Sequence, residues 1–161
     1  MTLADDPRES SYLEPPAMPG GGGGLVSTAD DYMRFARMLL GGGQLEGRRV
    51  LSPKTVDLMM ANHLPEEIFG SRPLRFSTGQ VYANGGLGLG FGLTGSVVRE
   101  PALTGLPVSR GSFGWGGAAS TYFWVDPQED LAVVFMTQLL VSNTYPLRAH
   151  LMKGVGAALL D

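Results

Sequence analysis

The sequence predicts an α+β fold in which helices pack on an antiparallel sheet. Residues 119–125 (ASTYFWV) and 131–139 (LAVVFMTQL) are apolar runs of strand length, and a turn sequence that contains Pro127 separates them into a hairpin. Amphipathic helices are predicted near both ends of the chain, at 28–40 and 146–160. Because 131–139 is apolar at nearly every position, we expect this strand at the centre of the sheet, with helices on both faces.

The amino-terminal third predicts one loop and two helices. Residues 1–24 contain five consecutive glycines and several prolines, so we expect a loop or linker, followed by a domain over 25–161. The 28–40 helix begins with a capping sequence and ends at a run of glycines, and its apolar residues recur at helical spacing: Tyr32, Phe35, Ala36 and Leu39. A shorter helix is predicted from the Ser52-Pro53 cap to Met60.

The rest of the chain is predicted as loops, strands and a last helix. We expect a long loop over 62–84, strands at about 87–98 and 116–125, and a loop over 99–112. In the 146–160 helix, the predicted apolar stripe is Leu147, Leu151, Val155, Ala158 and Leu159, and the predicted polar face is Arg148, His150 and Lys153.

Composition narrows the classes of function. The 161 residues, 43% hydrophobic and 17% charged, suit one soluble domain or part of a larger one. A net charge of −3 with two lysines argues against a nucleic-acid partner, and the absence of a long apolar run argues against a membrane partner. No signal-peptide pattern is found, so the cytoplasm is the default location.

Neither a cofactor nor a metal is expected. Residues 90–95 match the dinucleotide spacing G-x-G-x-x-G, but the strand before and the helix after that this fingerprint requires are not predicted. The glycines at 20–24 are not followed by the Lys-Ser/Thr of a phosphate loop. The chain has no cysteine, and its two histidines, His63 and His150, lie far apart without spaced carboxylates.

One stretch carries a family resemblance. Residues 113–119 (FGWGGAA), followed by 121–127 (TYFWVDP), resemble the serine β-lactamase-related hydrolases: class C β-lactamases, penicillin-binding proteins and their esterase relatives. The 23–43 segment and Leu-Ser-Pro-Lys-Thr-Val at 51–56 are also similar to this family. The resemblance covers residues 19–160 but corresponds only to the carboxy-terminal part of a family member, so it implies an incomplete β-lactamase-like (DD-peptidase-like) fold.

The resemblance also implies a site. Trp115-Gly116-Gly117 is similar to the triplet that esterase members carry, in place of Lys-Thr-Gly, on a sheet-edge strand lining the active site. It implies that these three residues contact substrate and that the backbone N–H of Ala118 donates to the oxyanion of the acyl-transfer intermediate. Alone, two glycines before a strand can also be a bulge or a bend.

The expected nucleophile is absent from these residues. The family's Ser-x-x-Lys motif has no match, since the nearest sequence is Ser96-Val97-Val98-Arg99, and an arginine is no base at neutral pH. Tyr82-Ala83-Asn84 matches the family's Tyr-x-Asn triplet but follows the capped helix instead of preceding it, so we interpret it as chance. The chain alone is therefore expected to be inactive.

Two classes of function remain open. The chain is either the carboxy-terminal segment of a serine hydrolase of esterase or transacylase type, or a non-catalytic binding module that keeps part of the fold. As a segment, it should pair with a missing amino-terminal half or self-associate through an unpaired sheet edge. The completed enzyme should take a small ester or acyl donor instead of a β-lactam, because Trp115 and Gly116 replace a cation and a hydroxyl, unless a residue such as Arg110 supplies the charge.

Overall fold

The computed structural model describes residues 2–20, 22, 25–65, 87–142 and 144–159. The helices are α1 (Ala29–Leu40), α2 (Pro53–Met60), α3 (Pro101–Thr104) and α4 (Leu147–Ala158), with a 3-10 turn at Ser11–Leu13. The strands are β1 (Gln44–Leu45), β2 (Arg48–Arg49), β3 (Leu89–Phe91), β4 (Ser96–Val98), β5 (Phe113–Gly116), β6 (Tyr122–Asp126) and β7 (Leu131–Phe135).

Within the described ranges, the main sheet has five strands in the order β3-β4-β5-β6-β7, and every neighbouring pair is antiparallel. The predicted hairpin is present as β6 and β7, whose register runs from Asp126 opposite Leu131 to Tyr122 opposite Phe135. In the turn between them, the Asp126 carboxylate accepts a hydrogen bond from the Gln128 N–H at 3.1 Å. The α+β prediction of an antiparallel sheet with packed helices is confirmed.

The predicted position of the 131–139 strand, at the centre of the sheet, is wrong. In the sheet that the described residues form, β7 is an edge strand and β5 is the middle one. Alternate residues of β7 face opposite sides: Ala132 and Val134 pack in a core cluster with α1, and Leu131, Val133 and Phe135 pack in a second cluster with α4. β7 is apolar on both faces because a helix covers each face. A strand covered in this way has the same apolar pattern whether it lies at the centre or at the edge of the sheet.

Several predicted boundaries also need correction. Residues 87–98 form two strands, β3 and β4, because a turn over 92–95 closes with a 2.8 Å bond from the Gly92 N–H to the Gly95 carbonyl. The predicted strand over 116–125 spans the end of β5, a turn and β6, and the predicted loop over 99–112 contains α3. Of the predicted loop over 62–84, residues 66–84 lie outside the described residues, as does the Tyr82-Ala83-Asn84 triplet.

The first helices follow the sequence closely. The Thr28 hydroxyl accepts a hydrogen bond from the Asp31 N–H at 3.1 Å and caps α1, and Ser52 caps α2 in the same way through the Thr55 N–H. α1 buries Ala36 and Leu39 as predicted, together with Met38. None of the helices in the described part of the chain is long and apolar enough to cross a membrane.

The buried face of α4 differs from the predicted stripe. Met152 is 1% exposed and Arg148, predicted on the polar face, is 5% exposed. Leu151 and Val155 are half-buried against the same cluster, as predicted, but Ala158 and Leu159 are exposed. The helix is therefore rotated so that a cation faces the sheet.

Candidate functional site

The Trp-Gly-Gly triplet lies where β5 ends. On one side, Trp115 and Gly116 pair with Phe123 and Tyr122 of β6. On the other side, the ladder between β4 and β5 stops at Gly114, so the triplet extends beyond the end of β4. β5 is thus the middle one of the five strands in the described part of the sheet, whereas the family resemblance implied an edge strand.

Trp115 is half-buried. Its indole meets the Phe91 ring edge-on at a centroid distance of 5.2 Å and packs against the core cluster that includes α1. The side chain as a whole is only partly exposed to solvent. An apolar surface of this kind suits contact with an acyl or alcohol group.

A tight turn over residues 117–121 connects β5 to β6. The Gly117 N–H donates to the Thr121 carbonyl at 3.0 Å, and the Ser120 N–H donates to the Gly117 carbonyl at 3.2 Å. Ser120 adopts a positive φ of 66°, and its hydroxyl donates to the Leu139 carbonyl at 2.7 Å. The Leu139 N–H returns a 3.1 Å bond to the Ala119 carbonyl, so the segment after β7 fastens the turn.

Ala118 is the exposed residue of this turn. The backbone N–H groups of Gly117 and Ser120 are hydrogen-bonded, but no residue in the described parts of the chain accepts a hydrogen bond from the N–H of Ala118 or of Ala119. Such a donor is able to bind an incoming acceptor without first breaking an internal bond.

Arg148, which was predicted on the polar face of its helix, is part of this site. Its Nη2 donates to the Gly117 carbonyl at 2.8 Å and to the Thr121 carbonyl at 3.0 Å. The guanidinium covers Gly116 so closely that a Cβ there would overlap it, so a side chain at 116 would force Arg148 to move. The sequence did not mark this contact, because Arg148 lies on the same helical face as Met152, four residues later, and the burial of that face is seen only in the structure.

The surroundings of Arg148 are unusual for a cation. No carboxylate within the described residues pairs with it, and its Nε is buried without a hydrogen bond. The Tyr122 ring lies 5.5 Å from the guanidinium carbon. Burial lowers the pKa of Arg148, because desolvation disfavours the charged form.

Other candidate residues lie elsewhere. Arg110, the possible substitute cation, precedes β5 and forms an exposed ion pair with Glu100 at 2.9 Å, at the opposite end of the strand from Trp115. His63 is exposed, and its Nε2 lies 2.8 Å from the Leu58 carbonyl oxygen. Across the ranges that the structure describes, no three histidine or acidic side chains are grouped to hold a metal ion.

Comparisons with known proteins identify the family. A family model described as Beta-lactamase matches residues 1–156. Protein Rv1367c of Mycobacterium tuberculosis (strain ATCC 25618 / H37Rv) is 41% identical over 140 residues, which cover 84% of this chain and 33% of that protein. Esterase EstB of Burkholderia gladioli is 29% identical over 130 residues, or 80% of this chain and 28% of the esterase.

A solved structure supports the same family assignment. EstCE1, described as a hydrolase with promiscuous acyltransferase activity, superposes with a TM-score of 0.62 and 29% sequence identity over 84% of this chain and 32% of its own. The chain thus spans about a third of the length of the proteins it matches. The family prediction is confirmed: this chain belongs to the β-lactamase family, as a segment that shares the fold of its hydrolase and acyltransferase members.

Proposed function

We propose that this chain is the carboxy-terminal segment of a serine hydrolase that acts on carboxylic esters or related acyl donors. In this proposal the segment contributes Trp115, Gly116 and Gly117 to the substrate site and the Ala118 N–H to the oxyanion. The Ser-x-x-Lys nucleophile and its base come from outside these 161 residues. The chain alone is then inactive and acts only when joined to the missing part.

The observation that carries the proposal is that the Ala118 N–H is left without a hydrogen-bond acceptor among the described residues. It lies one residue past the triplet, on an exposed turn, and has no acceptor in the described parts of the chain. Hydrogen bonds, the Leu139 segment and Arg148 hold the turn in place. A fixed backbone donor that already lacks a partner is what stabilisation of a developing oxyanion requires, because no reorganisation is needed during the reaction.

The ester preference rests on the triplet and on two relatives. Trp115 presents an apolar surface where Lys-Thr-Gly enzymes have a cation, and Gly116 offers no hydroxyl. Arg148 fills the space beside Gly116, but its guanidinium is bound to backbone carbonyls and buried. One matched protein is named an esterase and another a hydrolase with acyltransferase activity, which supports an acyl donor as substrate.

A second candidate is a non-catalytic binding module. It is favoured by one fact, namely that no serine in these 161 residues is followed three positions later by lysine. In that case the chain folds and acts alone, and the free Ala118 N–H is a remnant. The two candidates predict different results when the missing part of the fold is supplied. A hydrolase segment should then show turnover, and a binding module should not.

Adding the missing part of the fold should create esterase activity. In a chimera, the segment of Esterase EstB that this chain matches is replaced with this chain. We expect saturable hydrolysis of p-nitrophenyl butyrate by the chimera and none by the 161-residue chain. A folded chimera without turnover contradicts the hydrolase proposal, and turnover by the isolated chain shows that a nucleophile lies within it.

The same chimera should prefer esters to β-lactams. We expect kcat/KM for p-nitrophenyl butyrate to exceed that for nitrocefin, because a missing charge-assisted hydrogen bond to the drug's carboxylate removes about 1.5–3 kcal/mol, or roughly 10- to 150-fold. Trp115→Lys should raise kcat/KM for nitrocefin, and Trp115→Phe is the control that adds no charge. Gly116 is kept in both variants, since a side chain at this position would overlap the Arg148 guanidinium. A wild-type chimera that prefers nitrocefin contradicts the assignment.

A further inference from the structure

Arg148 binds the carbonyl end of the peptide group whose other end is the Ala118 N–H. The carbonyl that accepts the 2.8 Å bond from Arg148 Nη2 belongs to Gly117, and the N–H of the same peptide belongs to Ala118. This peptide is not among the cis bonds of the chain, so its C=O and N–H point in opposite directions. A cation that fixes the carbonyl from one side therefore fixes the direction of the N–H on the other side.

The hydrogen bond from Arg148 to the Gly117 carbonyl also makes the Ala118 N–H a stronger donor. Hydrogen bonding to a carbonyl polarises its peptide group and makes the N–H of that group a stronger donor. The effect is larger when the bond comes from a charged group that is shielded from water. Arg148 is 5% exposed, so its field is poorly screened at the Gly117 carbonyl.

The second bond of Arg148 holds the shape of the turn. The same Nη2 donates to the Thr121 carbonyl at 3.0 Å, which also accepts the Gly117 N–H. The guanidinium thereby joins the first and last residues of the turn that carries Ala118. It reaches both carbonyls only because Gly116 has no side chain in its path.

We propose that Arg148 is a positioning residue that aims and polarises the Ala118 N–H as an oxyanion donor. This inference rests on the proposed function, since an oxyanion donor has a role only in acyl transfer. Arg148 does not itself contact substrate, because its Nη2 is committed to two backbone carbonyls and its side chain is buried. Gly116 and Arg148 are coupled, because a side chain at 116 would displace the guanidinium from its present position.

The kinetic test uses the EstB chimera with Arg148→Met, Arg148→Lys and the control Lys153→Met, which removes an exposed cation from the same helix. For p-nitrophenyl butyrate, Arg148→Met should lower kcat by about 10- to 100-fold, less than the loss of a donor outright. KM should stay within about threefold, because the lost interaction acts on the transition state. Arg148→Lys should be intermediate, and Lys153→Met should match the wild type.

A spectroscopic test does not depend on turnover. With alanine-selective ¹⁵N labelling of the 161-residue chain, Arg148→Met should move the Ala118 amide proton upfield, and Lys153→Met should leave it unchanged. Arg148→Lys keeps a charge and replaces Arg148→Met in both tests if the latter does not fold. An unchanged Ala118 resonance, or unchanged kcat in a folded variant, overturns the inference. If the wild-type chimera shows no turnover, the hydrolase proposal fails and the Ala118 resonance still decides whether Arg148 polarises this peptide.

Discussion

Replacing Phe113 with alanine is expected to lower the free energy of unfolding by about 3–5 kcal/mol, the usual cost of removing a buried phenylalanine ring. Phe113 is 1% exposed in the middle strand of the sheet, and its ring meets that of Phe123 edge-on at 6.5 Å. Gly92 and Gly95 approach the ring so closely that a Cβ on either would touch it. The neighbouring backbone is hydrogen-bonded and cannot collapse into the space, so a cavity should remain.

Urea unfolding followed by tryptophan fluorescence measures this effect at a fixed chain concentration. The control is Val50→Ala, since the Val50 side chain is 65% exposed and its truncation should cost less than about 0.5 kcal/mol. Equal midpoints for the two variants would mean that the β5 region is not packed as described. Because β5 carries the Trp-Gly-Gly triplet, such a result would also weaken the description of the site.

The sequence predicted which segments form elements better than it predicted where they lie. Thr28 and Ser52 cap their helices as expected, because capping uses side chains within the same few residues. The position of β7 was wrong, since the apolar pattern of a strand reports how its faces are covered and not which strands pair with its edges. Strand pairing depends on contacts that are distant in the sequence.

The turn over 92–95 shows a second limit. A glycine inside an apolar run is compatible with a strand, a bulge or a reversal of the chain. The reversal occurs because Gly92 and Gly95 pack against the Phe113 ring, about twenty residues away in the sequence. The predicted single strand over 87–98 could not include that contact.

The candidate site was predictable in part for a similar reason. The triplet and Ala118 are adjacent in the sequence, so their motif was visible. Arg148 and Leu139 join the site by hydrogen bonds with backbone groups. Backbone groups are present at every residue and carry no sequence signature, and so Arg148 was assigned to the polar face of its helix.

A substitution that removes the Ala118 N–H tests most directly whether this group takes part in acyl transfer. Proline at 118 lacks the donor, while the preceding residue, Gly117, has the conformational freedom that proline requires of its neighbour. Ala118→Ser is the matched control, because it changes the side chain at the same exposed position and keeps the N–H. Circular dichroism melts of both variants establish that the chimera remains folded.

The measurement is kcat for p-nitrophenyl butyrate in the EstB chimera carrying either substitution. We expect Ala118→Pro to lower kcat by about 100- to 1,000-fold with little change in KM, the effect of losing one oxyanion donor, and Ala118→Ser to remain close to the wild type. If the folded Ala118→Pro chimera instead turns over as fast as Ala118→Ser, the Ala118 N–H is not an oxyanion donor and the proposed role of this segment in catalysis is wrong.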